Sequence, residues 1–252
     1  MLRSVDKLLG FNVRASDGDA GKLADLFFDD QRWTVRYLVV DTGPWLLGRR
    51  VLLSPIVADR PDFTLLDLPV RLTKELIERS PEVDLDKPVS ARRIEELHEH
   101  FGWPAYWAGS PVLGTPTLGA YPLIYAQAEA EQTEHGAEAP PGDPHLRSAK
   151  EVMGYYIEAK NGEVGHVEDF FVDEDDWCIR YMLVNTRNWL PGRKVLVSPD
   201  WIEKVTWAEA RVYVNVTREQ VKNSPEYDPS SEPSRSYEEQ LHLHYGGPGY
   251  WV

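Results

Sequence analysis

The feature that most constrains this chain is a stretch that it contains twice. Residues 33–55 read WTVRYLVVDTGPWLLGRRVLLSP and residues 177–199 read WCIRYMLVNTRNWLPGRKVLVSP, 144 residues apart. The same offset matches Leu2-Arg3-Ser4 to Leu146-Arg147-Ser148, Gly10 to Gly154, Ser80-Pro81-Glu82 to Ser224-Pro225-Glu226, and Tyr106-Trp107 to Tyr250-Trp251. Each copy therefore spans the length of a domain, where a solenoid unit would be 20–50 residues. Length alone fits two such domains. The expected organisation is a first repeat over 1–107, a linker over 108–145 and a second repeat over 146–252. The linker is Pro- and Gly-rich at its ends and Ala/Glu-rich over 126–138, with Tyr121–Tyr125 a candidate docking segment.

Within a copy the first half reads as all-β. Gly10–Ala15 is a short strand, and Asp17-Gly18 (Asn161-Gly162 in the second copy) predicts a type I′ hairpin turn to a partner strand over Gly21–Asp29. A turn at Asp29–Arg32 leads to a strand over Val35–Thr42, the loop Gly43–Gly48 and a strand over Arg49–Leu53. A last strand ends at Val70–Leu72, and its counterpart alternates Val212, Val214 and Val216 with polar neighbours. Short strands at this spacing predict a small barrel or sandwich. Leu26-Phe27-Phe28 and Leu38-Val39-Val40 are apolar on both strand faces. The face outside the barrel must then be covered, by a partner or by later parts of the chain.

The second half of each copy supplies helices. Thr73 and Thr217 are expected N-caps of Lys74–Arg79 and Arg218–Asn223, and Ser90 and Ser234 of Ala91–Phe101 and Arg235–Tyr245. Gly102 and Gly246 fall where a left-handed C-cap is expected. Each copy closes on an aromatic tail. The fold class is thus mainly β with α additions: two small β-barrels, each followed by short helices and an aromatic tail.

The first half of each copy resembles the PRC-barrel family. The motifs are Leu8-Leu9-Gly10, Asp17-Gly18-Asp19-Ala20-Gly21-Lys22, Asp25, Arg36-Tyr37-Leu38-Val39-Val40-Asp41 and Gly48-Arg49-Arg50-Val51-Leu52-Leu53-Ser54-Pro55. The second copy matches with Val152-Met153-Gly154, Asn161-Gly162-Glu163-Val164-Gly165, Asp169, Arg180-Tyr181-Met182-Leu183-Val184 and Gly192-Arg193-Lys194-Val195-Leu196-Val197-Ser198-Pro199. The resemblance covers about 75 residues per copy and implies a barrel that binds proteins and is not an enzyme. It extends to the cytoplasmic domain of the photosynthetic reaction-centre H subunit and the C-terminal domain of a ribosome-maturation factor. The arrangement looks most like stand-alone bacterial proteins with two such barrels.

Composition narrows the partners. A net charge of −14 opposes binding to nucleic acid phosphate and to anionic lipid. Cys178 is the sole cysteine, so no intrachain disulfide forms. The segment MLRSVDKLLGF lacks a signal-peptide core, and no 18-residue apolar run predicts a membrane span. The expected location is cytoplasmic.

Glu95-x-x-His98 and Glu239-x-x-His242 place both side chains on one helix face, either as metal ligands or, as favoured, on a solvated face. Asp25 with Arg36 and Asp169 with Arg180 are expected to be cross-strand ion pairs. Trp45-Leu46 and Trp189-Leu190 sit in a loop, where they either plug a barrel end or anchor a partner. Tyr106-Trp107 and Tyr250-Trp251 are expected to dock. These eight residues are the candidate interaction sites; no catalytic, cofactor or metal residue is assigned, since no nucleophile or phosphate-loop pattern occurs. The expected function is a non-enzymatic interaction or scaffold module, its two repeats packed as a pseudo-twofold pair and open to homo-oligomerisation. The alternatives are a metal- or small-molecule-binding sensor and an accessory factor for photosynthetic or membrane-complex assembly.

Overall fold

The computed structural model describes residues 1–83, 89–103, 145–186 and 193–251. The first copy runs β1 (Leu2–Ser4), α1 (Val5–Leu8), β2 (Asn12–Ala15), β3 (Gly18–Asp29), β4 (Thr34–Asp41), a 3-10 turn (Gly43–Leu46), β5 (Arg50–Leu53), β6 (Asp67–Pro69), α2 (Lys74–Glu78) and α3 (Ala91–Phe101). The second runs β7 (Leu146–Ser148), α4 (Ala149–Val152), β8 (Tyr156–Ala159), β9 (Gly162–Asp173), β10 (Ile179–Asn185), β11 (Lys194–Val197), β12 (Ile202–Thr206), β13 (Arg211–Val214), α5 (Arg218–Asn223) and α6 (Arg235–Tyr245). The fold is mainly β, with a few helices and two mixed sheets. Strand order is β5-β4-β3-β2-β6 in one sheet and β11-β10-β9-β8-β13-β12 in the other. The pairs β2–β6 and β8–β13 are parallel and the remaining pairs antiparallel. Among the described residues neither ladder joins its end strands, so the hydrogen bonding does not close a barrel.

Local chemistry accounts for the helix ends. Ser90 and Ser234 accept hydrogen bonds from the Arg93 and Tyr237 amides, and Thr217 with Gln220 forms a reciprocal capping box. Gly102 (φ 68°) and Gly246 (φ 78°) end α3 and α6 in the left-handed region. The hairpins differ from expectation by one residue. Ala15 pairs with Gly18 and Ala159 with Gly162, so the loop residues are Ser16-Asp17 and Lys160-Asn161, none with positive φ. The predicted type I′ turn is absent because the positive-φ glycine opens β3 or β9 instead of sitting inside the turn. The last strand also ends earlier than expected. β6 ends at Pro69, and Val70 makes only an isolated bridge to Ala58.

Gly21 and Gly165 are fixed by a close backbone approach. A Cβ at Gly21 would lie 2.1 Å from the Asp41 carbonyl oxygen, and one at Gly165 2.0 Å from that of Asn185. Both glycines also hold positive φ (130° and 144°), so β3 and β9 bend against β4 and β10 where no side chain fits.

Strand β4 is buried on both faces from Val35 to Val40. Leu38 and Val40 enter a core continuous between the copies, while Tyr37 and Val39 join Leu52 under Ile94 and Leu97 of α3. In the second copy Tyr181, Leu183 and Leu196 pack under Leu241 of α6. The outer sheet face is therefore covered by the chain's own later helices.

The copies are interlocked. β1 leaves the first copy to pair antiparallel with β9, Leu2 opposite Asp173 and Ser4 opposite Phe171. β7 pairs with β3 in the equivalent register, Leu146 opposite Asp29 and Ser148 opposite Phe27. Between them Thr34 bridges Cys178, its own counterpart. The Val35 amide donates to the Trp177 carbonyl (2.9 Å) and the Ile179 amide to that of Trp33 (2.7 Å). These backbone contacts map onto one another by the 144-residue offset, as in an isologous interface.

Candidate functional site

The site centres on this junction. Ser4 and Ser148 N-cap the four-residue helices α1 and α4. The opposite copy supplies a second acceptor at each helix start. Asp169 accepts from the Ser4 hydroxyl (2.5 Å) and the Asp6 amide (2.9 Å), and Asp25 accepts from the Ser148 hydroxyl and the Lys150 amide (3.2 Å). Burial pushes both carboxyls above the usual carboxylate range, and these hydrogen bonds oppose the shift. This corrects the expected pairing of Asp25 with Arg36 and Asp169 with Arg180. Arg36 instead pairs with Asp29, both buried, and Arg180 pairs with Asp176. The cross-strand prediction failed because the aspartates face a helix start contributed by the other copy.

Trp33 and Trp177 follow the turns of this region with φ of 52° and 58°. A left-handed Trp is a costly conformation, about 1 kcal/mol or more. It is held here by burial of both indoles and by the cross-copy hydrogen bonds to their carbonyls. Both tryptophans were legible as repeated residues; their place at the junction was not.

On one side of the junction lies a cleft of about 690 Å³ whose walls come from both copies. The first copy contributes the turn Asp30–Trp33, and the second contributes Arg147, Cys178, Arg180, Lys204, Trp207 and Tyr250 among others. Asp30 holds His145 (2.9 Å) and Arg147 (3.0 Å), and the Arg147 guanidinium lies 4.2 Å over the Trp207 ring. Cys178, beside the Thr34 hydroxyl at 3.4 Å, has its thiol pushed up by burial. A thiol so placed is a poor nucleophile.

The rim of the cleft is the aromatic tail. Tyr250 stacks on Arg180 at 4.1 Å, Arg235 lies 4.1 Å over Trp251, and Trp251 meets the edge of His242 at 5.1 Å. Beneath them the Tyr181 hydroxyl lies 2.9 Å from His242 Nε2 and donates to Glu238 at 3.2 Å. Burial drives the His242 pKa below its ordinary value, against the bias of the Pro248 carbonyl, which makes no well-formed hydrogen bond to the buried Nδ1. Burial likewise raises Tyr181 and Tyr250. In the first copy Tyr37 and His98 repeat the pair at 3.0 Å, with Ile94 where the second copy has Glu238.

His98 and His242 therefore do not lie on a solvated helix face, as expected; they are buried and tie α3 and α6 to the sheets. The neighbouring His100 and His244, pointing the other way, reach the Leu76 and Gln220 carbonyls at 2.9 and 2.8 Å. Glu95 and Glu239 stay exposed. Among the described residues no group of three or more His, Cys, Asp or Glu is placed to hold a metal ion.

Of the eight candidate interaction residues, Trp45 and Leu46 lie in the 3-10 turn after β4, partly buried against the core. The Trp45 indole donates to the Ala20 carbonyl at 3.1 Å and Lys74 covers its ring at 4.4 Å. The exposed apolar side chain of that turn is Leu47, 97% accessible. Tyr250 and Trp251 dock as described. Trp189, Leu190, Tyr106 and Trp107 lie outside the described residues, as do the 108–144 part of the expected linker and Tyr121–Tyr125. No helix among the described residues is long and apolar enough to cross a membrane. Compared with known proteins, the sequence matches no family model and no curated protein.

Proposed function

We propose that the chain is a non-enzymatic interaction or scaffold module of two PRC-like barrels, acting in the cytoplasm and docking a protein segment in the cleft between its copies. One observation carries the reading. The outer sheet faces are already covered by α3 and α6, which leaves the junction cleft as the concave surface that both copies build. Its polar groups serve binding better than chemistry, because the titratable groups buried nearby are committed to structural hydrogen bonds. The aspartates hold helix starts, and the Tyr–His pairs anchor helices.

The test is affinity purification from the native cell with the wild-type chain beside a Lys204→Glu/Arg32→Glu variant that reverses two charges of the cleft lining and is first shown to melt at the wild-type temperature. A docked protein is retained by the first and lost by the second. Equal recovery with both chains removes the cleft from the interaction. A second reading, a small-molecule sensor, is favoured by the cleft volume, which falls in the range of about 300–1,000 Å³ usual for ligand sites. A ligand that raises the melting temperature of the purified chain and is ineffective on the variant would select it.

A further inference from the structure

We propose that the junction between the copies is a subunit interface in its own right, crossed by ion pairs, which holds the two units together without the covalent connection between them. The partner that fits the first unit is then a unit of the second kind, on the same chain or on another. The inference is independent of what the cleft binds.

Each unit is incomplete alone. Strand β9 takes an outer strand, β1, from the first copy, and β3 takes β7 from the second. Helix α1 begins on an acceptor, Asp169, that the other copy supplies, and α4 on Asp25. Separation would leave two strand edges and two helix starts open, with buried polar groups losing their partners. Apolar contact closes the centre. Phe28 meets Phe170 at 5.8 Å and Trp33 meets Phe170 at 6.3 Å between ring centroids, within one continuous core. These are the features of a domain core cut in two, which is how obligate interfaces are built.

Ion pairs also cross the junction from the first copy to the second. The turn after β9 reads Glu174-Asp175-Asp176, where the first copy has Asp30-Gln31-Arg32. Glu174 takes Arg3 at 2.6 Å and Asp175 takes Arg60 at 2.7 Å. A pair of two first units would set Arg60 beside Gln31 and Arg32, where Asp175 and Asp176 stand in the second copy, losing that attraction at one place. The reciprocal place would keep a cation there, since Lys204, the counterpart of Arg60, already shares the cleft with Gln31 and Arg32. For the first unit, these pairs therefore favour a unit of the second kind over a second copy of itself.

The experiment keeps the whole chain. A site-specific protease sequence is placed between residues 119 and 120, the purified protein is cut, and its mass is followed by size exclusion with light scattering at micromolar concentration. The cut protein should keep the mass of the uncut chain. In the Arg3→Glu/Arg60→Glu variant the cut halves should separate at a protein concentration at least 10-fold higher than wild type. Adding Glu174→Arg/Asp175→Arg should restore the wild-type threshold. Wild-type halves that part, or that precipitate on cutting while the uncut chain stays in solution, overturn the interface. A variant that holds as tightly as wild type overturns the part played by the Arg3 and Arg60 ion pairs.

Discussion

The cross-copy carboxylate Asp169 offers the sharpest quantitative test of how the two copies are held. It is buried and accepts three hydrogen bonds, from the Ser4 hydroxyl (2.5 Å), the Asp6 amide (2.9 Å) and the Phe170 amide (2.7 Å). In Asp169→Ala the buried Ser4 hydroxyl and the part-buried Asp6 amide of the opposite copy lose their acceptor. Each such loss costs about 1–3 kcal/mol. Removing a desolvated charge returns part of this, so the net destabilisation is about 2–4 kcal/mol. Ser4→Ala removes the same contact from the other side, so the double variant should cost at least about 1 kcal/mol less than the sum of the singles.

The pH dependence has a definite sign. The folded pKa of Asp169 is raised by burial, so between the unfolded and folded values the native state binds more protons than the unfolded chain. The stability from this group is then fully present below the unfolded value, about 3.9, and is lost as pH rises through the folded value. An Asp169→Asn variant lacks this loss, so its deficit against wild type should be smaller at pH 7 than at pH 4. Urea unfolding followed by tryptophan fluorescence, at both pH values, measures all of these. An Asp169→Ala chain within about 0.5 kcal/mol of wild type, the scatter of an ordinary surface substitution, would refute the cross-copy cap.

Gly21→Ala forces a Cβ to within 2.1 Å of a backbone oxygen at positive φ; a loss of about 2–4 kcal/mol is expected in thermal unfolding, and Gly165→Ala should behave alike. Arg36→Met leaves the buried Asp29 carboxylate without its counter-ion, held by the Gln31 and Arg32 amides, and should cost about 3–5 kcal/mol. Arg36→Met with Asp29→Leu should recover only part of it, because those two amides then lose their acceptor. Ending the chain after Gly247 removes the cover of Tyr250 and Trp251 from His242, and the His242 pKa should then rise toward its ordinary value in an NMR titration. A buried neutral imidazole costs stability as pH falls below about 6.5, so the acid-side loss that His242 contributes should shrink in the shortened chain.

What the residues alone determined was local and periodic. Capping serines and threonines and the αL glycines placed α3, α5 and α6, because those signals act within four residues of the helix end. Alternation and continuous apolar runs placed β4 and showed that both its faces had to be buried, and the repeat required two units of one kind. The hairpin turn slipped by one residue because Asn-Gly and Asp-Gly dipeptides serve equally as turn centre and as the glycine that opens the next strand. Only the tertiary structure decided which groups meet. Asp25 and Asp169 looked like partners of arginines on the next strand, yet each caps a helix 123 to 165 residues away in the chain. The Glu-x-x-His pattern placed both side chains on one helix face without indicating whether water or a tyrosine stood opposite. The repeated W-x2-R-Y stretch fared similarly, since its tryptophans are set by a contact between copies and its two arginines choose different aspartates. Periodicity fixes which way a side chain points along its own element, and the identity of its neighbour depends on how two elements with no sequence proximity are brought together.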